Sequence, residues 1–508
     1  MLPKHSIFRN ALLLTAIDLL LRGISMSFQI YLSGVIGAAG LGLLQLVAAV
    51  GTLGMTLGLS GVRTAAMYLC AEEYGKRRPG GMRHVMRLCI LWSSVFSILT
   101  AAALWGFSDQ LAAVWLKDLR AASGLRILAL SLPVECLVCV LCGYFTACGK
   151  LRRLACVEVA ERLVSLALTF LLLRLWAHSE LERACCSLLL GGGGAAVFSA
   201  VWLGLLMRKD FRQYPPVPQP PQLPRRLCRL CVPLALGDYL RSGLRTLEQL
   251  LIPLGLERSG GSTGSAMAAY GTIHAMVFPI LMFPAAIIFS LSELLIPEVA
   301  RCRAEGNSRR ILHLTGRSLR LGPVFACGVS ALQFLLARPL GMLFYQSEEA
   351  GHYLRLFAPL IVILYADALV DGMCKGLGQQ TANVRNNTIT SLLDVALLYL
   401  LLPRWGIGGY FFTFVLTHAL NFYLSLRLLL DASGSALPLG PLAKTALCAL
   451  ASAAACLLLP ERGQCLLQIL RTCSLFLAAY LPLLYLTGAL VPNDRRWLRR
   501  TLSRGKGH

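Results

Sequence analysis

Leu236-Gly237-Asp238-Tyr239-Leu240-Arg241-Ser242-Gly243-Leu244-Arg245-Thr246-Leu247-Glu248-Gln249 lies inside an apolar run from residue 228 to 255. The run exceeds the roughly 20 residues that cross a bilayer as a helix. Its charges fall at 238, 241, 245 and 248, steps of three and four, so they share one helix face. Four ionised groups near the centre of a lone span would cost about 12 kcal/mol on the insertion scale, against about 4–7 kcal/mol returned by a dozen strongly apolar residues. Such a helix inserts poorly if that face meets lipid. The face must meet protein or water, so this span belongs to a bundle with a polar interior.

The rest of the chain supplies the bundle. Of 508 residues, 56% are apolar and 14% charged, too few charges to solvate several soluble domains. Disorder, a fibrous repeat and a cytosolic enzyme are excluded. Spans are expected near 10–34, 41–70, 85–107, 124–147, 154–176, 183–207, 228–255, 266–297, 319–337, 354–377, 387–402, 406–430, 441–459 and 465–490. These runs are too long and too uniformly apolar for barrel strands. The expected fold class is an all-α polytopic membrane protein of about 14 transmembrane helices.

The net charge of +23 is explained by where the basic residues fall. About two thirds of the 48 Lys and Arg lie in the even connections and the two tails. Examples are Lys76-Arg77-Arg78, Lys150 with Arg152 and Arg153, Arg208 to Arg229, Arg301 to Arg320, and Arg495 to Lys506. The odd connections hold far fewer, such as Lys117, Arg258 and Arg338. The positive-inside rule then places both termini and all even loops in the cytoplasm. These loops face anionic membrane lipids. No basic patch sits in a soluble domain, so a nucleic-acid partner is not expected.

A proline-rich stretch, Pro215-Pro216-Val217-Pro218-Gln219-Pro220-Pro221, favours extended polyproline II and reads as a stiff linker. The domain reading is an N-lobe over 1–207, a cytoplasmic linker over 208–226, a C-lobe over 227–430, two further spans over 431–490, and a basic tail over 491–508. The lobes are similar in sequence. Gly143 to Lys150 and Gly372 to Gln379 both read G-x5-G-[KQ], 229 positions apart. Asp18 and Arg22 on span 1 match Asp238, Arg241 and Arg245 on span 7 at an offset of 220 for the aspartates. Six spans per lobe make this a parallel pseudo-repeat, and such repeats place the substrate path at their interface.

Ionisable groups inside spans mark the expected path. Asp18, Arg22, Arg63, Arg241, Arg245 and Glu248 are the candidate substrate-binding residues of a wet cavity lined from spans 1, 2 and 7. Guanidinium groups suit phosphate, which they bind bidentately. The competing reading is local ion pairs that neutralise one another. Asp238, Asp367, Asp371 and Asp394 are the ion-coupling candidates; Asp367 and Asp371 could equally cap the helix or pair with Lys375. No resident cofactor or metal is called for, only Na+ or H+ as a coupling ion. Cys136, Cys139 and Cys142, spaced C-x2-C-x2-C, lie within an apolar helix with no completing ligand set, and read as small membrane residues. Gly191 to Gly194 read as close helix packing or a flexible point. No P-loop, nucleophile elbow or paired-His motif is present, so the chain does not read as an enzyme.

Gly58-Leu-Ser-Gly61-Val-Arg-Thr-Ala-Ala, followed by Ala71-Glu72-Glu73-Tyr74-Gly75-Lys76, resembles the second helix and following loop of the stage V sporulation protein B-like polysaccharide exporters. So does Tyr270-Gly271 with Phe278-Pro279, Phe283-Pro284, Leu291-Ser292 and Ile296-Pro297-Glu298. Gly376-Leu377-Gly378-Gln379 and Gly406-Ile407-Gly408-Gly409 look like that family's glycine motifs. The resemblance covers spans 1–12. It extends to the superfamily that joins oligosaccharide-lipid flippases, lipid II flippases and multidrug and toxin extrusion (MATE) antiporters. The resemblance implies a cavity between two six-helix lobes that opens alternately to each side. It implies arginines that meet a substrate pyrophosphate, with Arg22, Arg63 and Arg241 or Arg245 as counterparts, and a bound cation near Asp238 and Asp394. The chain departs from the family pattern at Arg63 and Met67-Tyr68, where proline and a Ser-Lys pair are common.

The function expected is a monomeric flippase in the bacterial cytoplasmic membrane. Its cargo would be an undecaprenyl-diphosphate-linked oligosaccharide or peptidoglycan precursor for cell-envelope or spore-cortex synthesis. The alternative is a cation-coupled MATE-type drug antiporter, which predicts a cavity dominated by carboxylates and aromatics because its cargo is usually cationic. A non-transporting scaffold is the least favoured class.

Overall fold

The computed structural model describes residues 4–75, 79–176, 181–215, 222–458 and 465–489, with the side chains of 4–18, 75, 79, 151 and 465 excepted. Lys76-Arg77-Arg78, the core of the proline linker, the basic tail and the Asp18 side chain lie outside the described residues. Every regular element among the described residues is helical. In hydrocarbon, backbone N–H and C=O groups have no water to bond, so a span satisfies them within itself as a helix.

The chain divides into two compact units. The N-terminal unit holds residues 16–271 and 398–406. Its elements are α1 (Lys4–Leu59, whose first residues belong to the other unit), α2 (Val62–Gly75), α3 (Met82–Gly106), the short α4 (Ser108–Gln110), α5 (Ala121–Ala147), α6 (Leu151–Trp176), α7 (Leu181–Gln213), α8 (Leu223–Arg258) and α9 (Thr263–Gly271). The C-terminal unit holds the described residues among 1–15, 272–397 and 407–508. It contains α10 (Phe278–Met282), α11 (Ala285–Ala304), α12 (Ser308–Leu335), α13 (Ala337–Tyr345), α14 (Glu348–Phe357), α15 (Ile361–Gly376), most of α16 (Gln380–Ser433), α17 (Leu439–Leu457) and α18 (Cys465–Leu486).

Ten helical segments among the described residues are long and apolar enough to cross a membrane. Two of them, within α1 and α16, are bent at glycines in non-helical conformation, Gly37 (φ 68°) and Gly406 (φ 54°). Two further helices, α6 and α8, are as long but carry charges along their length. The protein is therefore an all-α polytopic membrane protein. The expected span 8 is not one smooth helix: it runs through α9, a π-helical segment at Thr272–Val277 and α10, and restarts at α11 after Pro284. Proline lacks the N–H needed to continue the ladder.

Each glycine motif ends a helix in the same way. Gly149 (φ 67°) and Gly378 (φ 69°) take the left-handed conformation that closes a helix C-terminus. One motif earlier, a Cβ on Gly143 would sit 3.0 Å from the Arg63 carbonyl oxygen, and a Cβ on Gly372 would sit 3.2 Å from that of Ser292. Arg63 and Ser292 are 229 positions apart, as are Gly143 and Gly372. The same backbone-to-backbone approach thus occurs once in each unit, α5 on α2 and α15 on α11.

Several of the basic residues near helix ends form ion pairs. Lys150 Nζ lies 2.6 Å and Arg153 Nη1 3.2 Å from the buried Asp210 carboxylate. Arg226 pairs with Glu72, and Arg301 with Glu298 at 2.7 Å. In the C-terminal unit, α17 and α18 pack on α12, where Tyr480 donates to the Val324 carbonyl at 2.8 Å and lies over Gly328.

The glycine run in α7 packs closely. A Cβ on Gly191 would meet Thr169 of α6, including its backbone N at 3.0 Å, and one on Gly193 would meet Ser131 of α5 at 3.0 Å; Gly192 faces open space. Gly191→Ala should therefore destabilise the protein by about 1–3 kcal/mol through overpacking. Gly192→Ala should be neutral or stabilising by up to about 1 kcal/mol through helix propensity. Thermal unfolding of the two purified variants, side by side, checks this; equal midpoints would contradict it.

Candidate functional site

A cavity of about 420 Å³ lies within the N-terminal unit. Its walls are the second half of α1, the α1–α2 turn, the start of α2 and one face of α8. The turn makes this juxtaposition. Ser60 (φ 49°) and Gly61 (φ 74°) are both left-handed, which separates α1 from α2. A Cβ on Gly61 would lie 2.7 Å from the Cys231 carbonyl oxygen on α8, so only glycine lets the two backbones approach this closely. Tyr239 of α8 donates its hydroxyl to Ser60 Oγ at 2.7 Å, and Thr246 donates to the Ala49 carbonyl at 3.4 Å. These contacts hold α8 against α1 and α2 with its charged face towards the cavity.

Arg63, Asp238, Arg241 and Arg245 all line this cavity. Among the described residues, none of the four takes part in an ion pair. Among the described residues that line the cavity, three guanidinium groups thus stand against one carboxylate, and Arg63 is also electrostatically close to Glu158 of α6. The face of α8 has two edges. At 100° per residue, Arg241 and Arg245 lie on one side of Asp238, while Gln249, Ser242 and Thr246 lie on the other. Thr52 and Thr56 of α1 and Thr64 of α2 complete a wall of hydroxyls. Ser242 Oγ is buried and has no hydrogen-bond partner among the described residues. Among the described residues, no aromatic side chain lines the cavity.

The remaining candidates fall elsewhere. Arg22 is half-buried on the first half of α1, and Glu248 is half-buried on α8 one turn beyond Arg245; neither lines the cavity. The hydroxyl and amide lining was missed in the sequence. Its signal was present as Thr52 and Thr56 one turn apart and as Ser242, Thr246 and Gln249 flanking the charges, but polar uncharged residues in spans are common enough to pass unremarked.

The C-terminal unit gathers the other carboxylates. Asp367 and Asp371 sit one turn apart on α15, facing both halves of the bent α16. Asn421 Nδ2 donates to Asp367 Oδ2 at 3.1 Å, and Asn421 Oδ1 accepts from Thr390 Oγ1 at 3.2 Å. Asp371 pairs with Lys375 at 2.6 Å and accepts from Asn383, which in turn accepts from Ser425 at 3.2 Å. Asp394 is buried and accepts from Thr417 at 2.7 Å. Asp371 is thus engaged by a cation of its own helix. Among the described residues, Asp367 Oδ1, Asn387 Oδ1 and Thr413 Oγ1 are buried without a hydrogen-bond partner. Unsatisfied buried acceptors of this kind are what a small cation or a proton would satisfy.

A bundle of spanning helices with a charged cavity inside one unit is the architecture of a polytopic membrane transporter. The chain belongs to the MatE family, whose model matches residues 16–171 and 262–400. It is 21% identical over 416 residues to stage V sporulation protein B of Bacillus subtilis (strain 168), covering 80% of each chain. It is 22% identical over 274 residues to sporulation protein YkvU of the same organism, covering 53% of this chain and 61% of that one. In fold it is similar to the lipid II flippase MurJ in an inward closed conformation, with a TM-score of 0.71 at 11% identity over 94% of this chain and 99% of that one. It is also similar to an inward-facing multidrug resistance MATE family transporter, with a TM-score of 0.59 at 16% identity over 82% and 93%. The α8 segment that carries Asp238, Arg241 and Arg245 lies outside the stretches matched by the family model.

The carboxylate network has parts of unequal weight. Lys375→Ala removes a half-exposed i, i+4 pair and should cost no more than about 0.5 kcal/mol. Asn383→Ala strips a partner from the partly buried Asp371 of α15 and from the buried Ser425 of α16 and should cost about 1–3 kcal/mol. Urea or thermal unfolding of the two variants should rank them in that order.

Proposed function

We propose that this protein is a flippase for a lipid-linked cell-envelope precursor, and that the cationic cavity of the N-terminal unit receives the diphosphate of that cargo. One observation carries the reading: among the described residues, Arg63, Arg241 and Arg245 converge on one cavity lined by a single carboxylate and no aromatic ring. Cationic drugs would be repelled by such a lining and would find no ring to stack on. An anionic head group is attracted, and two guanidinium groups on one helix edge can each take a phosphate bidentately. The hydroxyl and amide edge opposite suits the sugar joined to that phosphate. A pocket of this size encloses a drug-sized group, so it would take the diphosphate and the first sugar or two while the polyprenyl chain stays in the bilayer.

The similarity to stage V sporulation protein B and the shared fold with MurJ support the same reading. The cargo is an undecaprenyl-diphosphate-linked oligosaccharide or peptidoglycan precursor, moved from the inner to the outer leaflet of the cytoplasmic membrane by a monomer. The membrane topology has fourteen spans with both termini in the cytoplasm. The sequence repeat divides the chain at the 208–226 linker into lobes 1–207 and 227–430, with spans over 431–490 appended. Net flow needs differential binding to two cavity states, driven by an ion gradient, the membrane potential or downstream consumption. Asp367, with its open oxygen, is the coupling-ion candidate in the C-terminal unit, with Asp394 beside Thr417 as a second; the ion is Na+ or H+. The MATE-type antiporter remains the second reading, favoured by the fold it shares with MATE transporters.

Proteoliposomes with a fluorescent undecaprenyl-diphosphate sugar test the assignment. Arg241→Ala and Arg245→Ala should each slow translocation about tenfold or more, since a charge-assisted hydrogen bond is worth about 1.5–3 kcal/mol. Arg22→Ala should have a smaller effect. Equal rates for wild type and all three variants would sink the cavity assignment, and ethidium uptake without lipid movement would favour the antiporter. Asp367→Asn should abolish stimulation by an imposed Na+ or proton gradient while leaving ungraded scrambling.

A further inference from the structure

The N-terminal unit has a second concavity, unlike the first in every respect. It is an open apolar groove of about 730 Å³ between α1 and α6, lined by Leu20, Gly23, Phe28 and Tyr31 on one side and Leu166 and Phe170 on the other. The α1 residues recur at steps of three and four, so they form one face; Arg22 points to the opposite face. Gly23 is the floor. A Cβ added there would meet no atom within 4 Å. Glycine therefore serves no close packing of protein against protein at this point. It leaves a hollow in a helix surface at membrane depth, where lipid chains are the surrounding solvent.

We propose that this groove binds one anionic phospholipid, with an acyl chain along Gly23 and the phosphate at Arg174. Three observations select this occupant. First, the groove runs from residue 20 to residue 31, roughly 16 Å at 1.5 Å per residue. That is about half of the roughly 30 Å hydrocarbon core, the depth of a single leaflet. An acyl chain matches this length, and a 55-carbon polyprenyl chain would overrun it. Second, the groove ends in a cation. Arg174 lies one turn beyond Phe170 on the same face of α6, with its guanidinium carbon 4.5 Å from the Phe170 ring centroid. Among the described residues this guanidinium meets no carboxylate. Third, Tyr31 and Phe170 close the groove at that same end, their centroids 5.9 Å apart, and the half-exposed Trp176 follows at the helix terminus. Tyr, Trp and Arg together mark the depth of the lipid head groups. On the topology proposed above this is the outer leaflet. The site does not depend on which cargo the cationic cavity carries.

Native mass spectrometry of the full chain tests this, with the protein equilibrated in equal amounts of palmitoyl-oleoyl phosphatidylglycerol and phosphatidylcholine. Wild type should retain one phosphatidylglycerol after annular lipid is stripped, preferred about fivefold over phosphatidylcholine, the effect of one basic residue at a lipid surface. Arg174→Ala should keep a lipid and lose the preference. Gly23→Leu, and Ser27→Leu one turn along the same face, should lower retention of both lipids about fivefold or more. Gly192→Leu, an equally open glycine away from the groove, should retain lipid as wild type does. The proposal is overturned if both groove-filling variants hold lipid as well as wild type, or if Arg174→Ala keeps the preference. Displacement of the phosphatidylglycerol by added undecaprenyl phosphate would overturn the choice of a single-leaflet lipid.

Discussion

Lipid gives a guanidinium group nowhere to go. Arg241 and Arg245 lie in the middle of a membrane-length helix, and together with Asp238 and Glu248 they make that helix a poor membrane span by itself. The rest of the N-terminal unit answers this constraint. The left-handed Ser60-Gly61 turn lets the α2 start come within backbone contact of α8. Tyr239 and Thr246 fasten α8 to α1. The charged face then borders a cavity flanked by hydroxyl-bearing residues of α1 and α2. Remove the close approach at Gly61 and the cavity loses one wall; remove the cavity and the arginines have no tolerable environment.

The C-terminal unit solves a related problem differently. Its intramembrane carboxylates are not gathered around a cavity of opposite charge but threaded into side-chain networks. Asn421, Asn383 and Thr417 reach Asp367, Asp371 and Asp394 from the two halves of a helix bent at Gly406, with Ser425 donating to Asn383. Lys375 settles Asp371. Asp367 is left with one oxygen unsatisfied. The two units repeat a backbone contact at the same sequence offset, Gly143 on Arg63 and Gly372 on Ser292, yet the residue at that contact is a cavity arginine in one unit and a serine in the other. A common scaffold thus carries unlike chemistry in its two units.

The groove between α1 and α6 adds a division of labour within one helix. Arg22 and the Gly23 face point in opposite directions. The side of α1 that carries Gly23 is apolar, and the helix charge at Arg22 lies on the opposite side.

Much of this was legible in the residues. The spacing of 238, 241, 245 and 248 placed the charges on one helix face. The length and polarity of the apolar runs required an all-helical membrane protein, because backbone polar groups in lipid admit no other spanning element of that length. The glycine motifs marked helix ends, since Gly149 and Gly378 take a conformation that other residues resist. What the chain could not declare by itself was which charged residues share a space. Arg22 and Glu248 have the same credentials in sequence as Arg63 and Arg245, yet they do not line the cavity. Asp371 and Asp367 look alike, yet one is paired and the other is left open. Those outcomes depend on which helix faces are brought together by close contacts such as Gly61 on Cys231 and Asn421 on Asp367. Such contacts join residues far apart in the chain, and no local pattern of spacing or polarity encodes them.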